Sequence, residues 1–277
     1  MRVKAARSLL FLPATSPQLL PKATERGADA LIVDLEDAVP PARKAEARPM
    51  ATAALRDLAA RGAELLLRVN AEQALWEDDI AAIPSGIALT VMLPKVESAA
   101  QVEALATALA ARGQDAAIAA LVETPRGVLE AARIATASPR LCALGFGAED
   151  YAAAIGLAPA PVSLGVPAQM VGVAAHAHGL AFWGLAGSVA ETADMDAFGA
   201  LVRLSRQLGF TGTVCIHPRQ VPVANEGFGP TPEEIAWAGR VVAAAEEARA
   251  RGQGAVLLDG RMIDRPIEDR ARRWLAR

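Results

Sequence analysis

The sequence predicts a (β/α)8 barrel followed by a helical C-terminal extension. Three observations predict it. Eight short apolar, β-favouring runs alternate with amphipathic helical stretches, the pattern of a parallel sheet joined by crossover helices. Nearly every run ends in a polar or ionisable residue, as barrel strands do on the face that carries chemistry. The first run leads into Pro13-Ala14-Thr15-Ser16-Pro17, not into the glycine-rich phosphate loop that usually opens a doubly wound sheet, the competing fold.

Taken in order, the strand runs fall at 8–12, 30–34, 64–69, 89–93, 116–122, 141–146, 181–185 and 212–216. Each is four to eight residues long and rich in Leu, Ile, Val or Ala, which suits strands buried on both faces. Helical periodicity occupies 18–26, 41–60, 99–112, 128–137 and 195–208 between them. The barrel is assigned to 1–222. From 223 to 277 the texture changes: Gly227, Gly229, Pro230 and Pro232 mark a break. Thr231 with Glu234 three residues on reads as a capping box, opening a helix to about 249. An apolar segment at 255–259, a turn at Gly260 and a basic helix at 267–277 finish the chain. So short a tail lacks a sufficient core of its own, and is expected to pack on the barrel or on a neighbouring subunit.

Composition excludes several classes. Hydrophobic residues make up 53% of the 277, ample for a core and against disorder. The net charge is −3 and no Lys/Arg block stands out, so neither nucleic acid nor a membrane surface is an expected partner. No apolar run reaches the ~18 residues that span a bilayer. The stretch from Met1 to Pro13 has basic residues and then an apolar run, but Pro13 cuts it short and no cleavage site follows. Cys142 and Cys215 each lie inside an apolar run and read as buried thiols without metal spacing. A cytoplasmic protein is expected.

Chemistry is expected where the runs end. The stretch from Leu121 to Asp150 reads strand, acid, helix, strand, acid. Glu123 and Asp150 therefore close neighbouring strands and point into one mouth. Two carboxylates converging there suit Mg2+, which takes one or two carboxylates and completes its shell with water and substrate oxygens. Asp34, Glu36 and Asp37 follow the second run, Arg68 and Asn70 the third, Lys95 and Glu97 the fourth, and His217 the eighth. Arg68 is either a substrate-binding guanidinium or an ion-pair partner for Asp34 or Glu36. Asp34 reads as a buried acid pairing inside the barrel, Lys95 as a charge behind the reacting groups, His217 as a loop-fixing imidazole, and His176 and His178 as helical surface residues. No serine has a histidine and an aspartate at offsets that suggest a hydrolase triad.

These motifs resemble the citrate lyase β-subunit-like family of the HpcH/HpaI aldolase group. The resemblance runs through Arg7 to Pro13, Gly27 to Val39, Arg68-Val69-Asn70, Leu93 to Glu97, Glu123-Thr124-Pro125-Arg126-Gly127, Gly145 to Tyr151, Cys215 to Gln220 and Gly260 to Pro266. It implies a Mg2+-dependent carbon–carbon lyase that cleaves a citryl-, malyl- or citramalyl-type 3-hydroxyacyl thioester into an acyl thioester and a 2-oxo acid. It implies Glu123 and Asp150 as metal ligands and Arg68 as the substrate arginine. Gly147, Ala148 and Glu149 match the loop that receives the oxo-acid carboxylate. Asp264 matches an acid that relatives place over a neighbour's site, so a homo-oligomer, a trimer or a hexamer, is expected. Asp264, Glu36 and Asp37 are the candidate catalytic bases. The chain departs from the family pattern at Ala14, where many relatives have Gly. It departs again at Ala168-Gln169-Met170, where Arg-Ser-Arg is common, and at Phe182-Trp183-Gly184, where Ala-Ile-Asp is typical. The last two departures bear on the thioester carrier. Two other readings remain open: a thioester-independent aldolase, and a non-catalytic metabolite-binding subunit of a lyase complex.

Overall fold

The computed structural model describes residues 2–276. Met1 and Arg277, the outer ends of the leader-like segment and of the expected last helix, lie outside it. The described residues form two compact units, divided between Phe228 and Gly229.

The first unit is an eight-stranded parallel barrel. Its strands are β1 (Ser8–Pro13), β2 (Ala30–Asp34), β3 (Leu65–Arg68), β4 (Thr90–Leu93), β5 (Ala117–Val122), β6 (Leu141–Phe146), β7 (Ala181–Gly184) and β8 (Thr213–Cys215). Pairing runs in the order β7-β6-β5-β4-β3-β2-β1-β8. The ring closes where β7 meets the start of β8, by a parallel bridge between Trp183 and Gly212 and a 2.9 Å bond from the Gly184 N–H to the Gly212 carbonyl. Alternate residues of each strand face opposite ways. Leu9, Ile32, Leu66, Met92, Ala119, Leu121 and Trp183 belong to one buried cluster inside the ring. Leu10, Leu31, Val33, Leu67, Val91, Ile118 and Phe182 belong to the larger one between strands and helices.

Helices α1 (Lys44–Ala60), α2 (Gln73–Ala81), α3 (Ala99–Ala111), α4 (Pro125–Ile134), α5 (Ala148–Ala154), α6 (Pro161–Ala177), α7 (Met195–Gln207) and α8 (Gln220–Phe228) follow the strands from β2 onward. Between β1 and β2 the sequence predicts a helix over 18–26. The chain instead makes two 3-10 segments, Pro17–Lys22 and Thr24–Arg26. Pro21 removes a donor from the middle of that stretch, and Gly27 at φ 73° ends it. The α4 helix starts three residues before the periodicity does, because Thr124 caps it by accepting from the Gly127 N–H at 3.1 Å and Pro125 suits the first turn. The α8 helix carries Val221, Ala224 and Phe228 into the main core. Those buried side chains place the compact boundary after Phe228, beyond the change in texture at 223.

The second unit holds α9 (Pro232–Ala250), the antiparallel strands β9 (Val256–Leu258) and β10 (Arg261–Ile263), and α10 (Arg265–Leu275). The capping box forms: Thr231 accepts from the Glu234 N–H at 3.2 Å, and the Glu234 carboxylate accepts from the Thr231 N–H at 2.8 Å. What reads as an apolar segment and a turn is a hairpin. Asp259 and Gly260 both take positive φ, 50° and 75°, as a two-residue loop between twisted strands requires. Ala238, Val241, Ile263 and Ala271 form this unit's core. Among the described residues no helix is long and apolar enough to cross a membrane.

Candidate active site

Period-two alternation positions the site. Asp34 lies two residues after Ile32, Arg68 two after Leu66, and Glu123 two after Leu121, so each inward apolar column ends in a charge. Register then brings the columns together. Asp34 is directly opposite Arg68 on β2 and β3, and Val122 is opposite Phe146 on β5 and β6. One step further along, Glu123 lies against Gly147.

Arg68 is held on several sides. Its Nε and Nη2 donate to the two Asp34 carboxylate oxygens at 2.7 and 2.8 Å. Its Nη1 lies 2.9 Å from Glu36 Oε2, an ion-pair contact without hydrogen-bond geometry, and 3.8 Å from Asp37. Its guanidinium carbon stands 4.6 Å over the Phe11 ring. Burial alone would lower the Arg68 pKa; the hydrogen bonds and charge of Asp34 and the charge of Glu36 raise it instead, so the cation is permanent. Of the two roles weighed for Arg68 the structure shows the ion pair with Asp34, and the side chain also lines the central cavity.

Glu123 is buried, at 4% exposure. Burial first, then the nearby charges of Asp150 and Glu36, push its pKa up to about 8. It accepts one hydrogen bond at Oε2, 3.0 Å from the backbone N–H of Lys95. Lys95 makes that bond from a left-handed backbone, φ 53°, unusual for a residue with a side chain. Its ammonium reaches Glu36 Oε1 at 2.5 Å, and the bond to Glu36 outweighs desolvation and raises the Lys95 pKa. Lysine there is a protonated counter-charge, as expected. Gly147 leaves room for Glu123: a Cβ there would come within 2.6 Å of Glu123 Oε1.

Asp150 lies in the first turn of α5 and, with Glu123, lines a cavity of about 460 Å3 at the strand ends. Gly147, Ala148 and Glu149 line it too. The Gly147 N–H is already donated to the Val122 carbonyl at 3.1 Å, whereas those of Ala148 and Glu149 are donors that a helix start leaves without an intrahelical partner. Glu149 accepts from the Ser188 hydroxyl. The sequence reading missed Ser188, whose loop reaches Glu149 only in three dimensions.

The structure separates the candidate bases. Asp37 lines the cavity and its side chain is 57% exposed. Glu36 is buried, clasped by Arg68 and Lys95, and lines a neighbouring hollow with Lys44 and Arg48. Asp264 belongs to the second unit. It occupies the N-cap position of α10, yet its side chain makes no cap hydrogen bond, and its shielded Oδ1 has no partner among the described residues. His217 accepts from the Arg219 N–H at 3.1 Å, a loop-fixing role, and His176 is exposed. Cys142 and Cys215 are buried, their thiols pushed up to about 11 and about 12 chiefly by burial.

The donor set fits magnesium. Among the described residues no group of three or more His, Cys, Asp or Glu side chains is arranged to hold a metal. Two carboxylates do converge, and Glu123 is driven towards protonation first by its burial and then by the charge of Asp150. Glu123 and Asp150 would hold a hard cation such as Mg2+, which takes one or two carboxylates and would offset their repulsion.

Residues 7–218 match the family model described as HpcH/HpaI aldolase/citrate lyase. The chain is 37% identical to a citrate lyase subunit beta-like protein of Deinococcus radiodurans, covering 98% of this chain and 96% of the relative. It is 36% identical to a (3S)-malyl-CoA thioesterase of Cereibacter sphaeroides, covering 98% and 94%. Its fold superposes with a TM-score of 0.80, at 33% identity and covering 99% and 98%, on protein CitE from Mycobacterium tuberculosis in complex with magnesium, acetoacetate and coenzyme A. By sequence and by fold, the chain belongs to the HpcH/HpaI aldolase/citrate lyase family, as a lyase of the citrate lyase β-subunit type.

Proposed function

We propose that this protein is a Mg2+-dependent lyase that cleaves a 3-hydroxyacyl thioester into an acyl thioester and a 2-oxo acid. The observation that carries the reading is the pairing of buried Glu123 with Asp150 in the cavity that Arg68 also lines. The relative solved with magnesium and coenzyme A and the relative named for malyl-CoA support the thioester class.

In this reading Glu123 and Asp150 hold the metal, which supplies Lewis acidity at the reacting hydroxyl. The N–H groups of Ala148 and Glu149 orient the carboxylate that becomes part of the oxo acid. Cleavage passes the hydroxyl proton to a carboxylate, turns the O–H electron pair into the carbonyl bond of the oxo acid, and moves the carbon–carbon pair onto the thioester, whose α-carbon then takes up a proton. Arg68 stabilises the thioester enolate oxygen through Nη1, whose own contacts to Glu36 and Asp37 are not hydrogen bonds. Asp34 keeps the guanidinium plane fixed while that charge develops. Of the three candidate bases we take Asp264, which the resemblance sets over a neighbouring copy's cavity, as the proton acceptor; Glu36 is read as positioning Arg68 and Lys95.

The test is direct. The protein with Mg2+ is incubated with hydroxyacyl-CoA thioesters and, separately, with the corresponding free hydroxy acids, and released 2-oxo acid is quantified. Thioesters are expected to be cleaved and free acids not. Release from the free acids alone overturns the thioester assignment, and release from neither overturns the lyase.

A further inference from the structure

The mechanism above leaves Trp183 unused. It is the second inward residue of β7, two after Ala181, and is buried at 1% exposure. It lines the central cavity, and its indole Nε1 has no hydrogen-bond partner among the described residues. A buried N–H without an acceptor is unfavourable, and a ligand oxygen in the cavity would supply the acceptor.

The cavity around it has two unlike walls. Asp34, Asp37, Glu123, Glu149, Asp150 and Arg68 make one, built from β2 to α5. The other carries Trp183, Leu185, Val189, Val214 and Ile216, from β7 and β8 and the loops that follow them. Among the described residues lining the cavity Arg68 is the one cation, and Asp34 already takes two of its donors. A second carboxylate on a ligand whose first is held near Ala148 and Glu149 would find no cationic side chain among the described residues beyond Arg68, whose Nη1 is given to the thioester oxygen, and the wall beside Trp183 is apolar but for Thr213. Burying a charge without a partner is strongly unfavourable, whereas a hydrogen or methyl substituent is at home there.

We infer that Trp183 and the apolar wall beside it select a 2-oxo acid with a single carboxylate and a hydrogen or hydrocarbon substituent, and that the Trp183 N–H donates to an oxygen of that ligand. This deepens the lyase reading and rests on it: of the possible substrates it picks those that release a glyoxylate- or pyruvate-like product over those that release a dicarboxylate. The signal is Trp183 itself, the largest fully buried side chain among the described residues, which alternation from Ala181 carries inside the ring.

The experiment titrates the Mg2+-loaded protein with glyoxylate, pyruvate and freshly prepared oxaloacetate, by calorimetry and by tryptophan fluorescence. Pyruvate or glyoxylate is expected to bind about tenfold or more tighter than oxaloacetate, for which such a wall offers no counter-charge. Trp183→Phe keeps the ring and deletes the N–H. Without ligand it should melt no lower than wild type, because an unpartnered donor is gone, yet bind the monocarboxylates several-fold more weakly and lose most of the fluorescence response. Ile216→Lys, on the exposed rim of the apolar wall, should narrow the preference by giving oxaloacetate a counter-charge. Oxaloacetate binding as tightly as pyruvate and glyoxylate in the wild type overturns the selectivity and leaves the lyase standing. Unchanged affinity in Trp183→Phe overturns the role of the indole. If none of the three binds while Mg2+ does, the lyase reading fails and this inference fails with it.

Discussion

Gly147 and Arg68 are the residues at which a small covalent change has the sharpest consequence. A methyl group on Gly147 would come within 2.6 Å of Glu123 Oε1, so Gly147→Ala must displace the Glu123 carboxylate. Mg2+ affinity, measured by calorimetry, is expected to fall about tenfold or more, the usual cost of disturbing what orients a metal ligand. Unchanged affinity would remove Glu123 from the metal site. At Arg68, lysine keeps the charge but loses the planar fork that Asp34 holds through Nε and Nη2. Arg68→Lys is expected to lower turnover at saturating substrate by about 10²–10³. A loss below about threefold, together with a lowered melting temperature, would leave Arg68 as an ion-pair partner alone.

At the level of elements, the barrel closes where backbones approach closely. β7 and β8 meet through Trp183 and Gly212, and a Cβ on Gly212 would stand 2.2 Å from the Ala6 carbonyl oxygen. Backbone cannot yield there as a flexible side chain can. Gly212→Ala is therefore expected to destabilise the protein by about 1–3 kcal/mol, as overpacking does, read as a lower midpoint in chemical denaturation. The same closure seats Trp183, so the variant should also weaken 2-oxo acid binding. Loss of binding with an unchanged midpoint would contradict the steric account. The hairpin of the second unit needs no such approach, because its turn is written locally in Asp259-Gly260.

For the whole molecule the proposed metal carboxylates, Glu123 and Asp150, link pH, Mg2+ and stability. Glu123 has a folded pKa of about 8 against an ordinary 4.5, so the folded state holds a proton that the unfolded state releases. Its contribution is fully present below the unfolded pKa and is lost as pH rises through about 8. In chelator, the wild type should therefore lose melting temperature relative to Glu123→Gln between about pH 5 and pH 8.5. Added Mg2+ should raise the melting temperature of the wild type, by about 2.7 kcal/mol of stability at a hundred times its dissociation constant, and leave Glu123→Gln and Asp150→Asn nearly unmoved. Equal Mg2+ stabilisation of all three proteins would refute the metal assignment. Asp264 carries the remaining prediction. Asp264→Asn should nearly abolish turnover while stability and oxo-acid binding stay close to wild type. A helix cap would give the reverse, about 1 kcal/mol of destabilisation with activity intact. If the acid serves another copy's cavity, mixing inactive Asp264→Asn with inactive Glu123→Gln under subunit exchange restores part of the activity.

The sequence by itself determined that the site residues stand where strands end. Asp34, Arg68 and Glu123 each follow an apolar run, a local property of the chain, whereas strands buried on both faces carry no local mark of which side faces inward. Asp259-Gly260 carried its hairpin just as locally, although only the strand pattern on both sides makes that visible. Tertiary structure decided what those residues meet. Arg68 lies opposite Asp34 because β2 and β3 pair in that register, and Glu123 faces Gly147 because β5 and β6 do. No period along the chain encodes the offset between two strands. The perturbed pKa of Glu123, the clasp that draws Glu36 away from the cavity, and the unpartnered N–H of Trp183 arise from that offset and from closure of the ring. They are long-range consequences of packing, beyond the reach of any window of sequence.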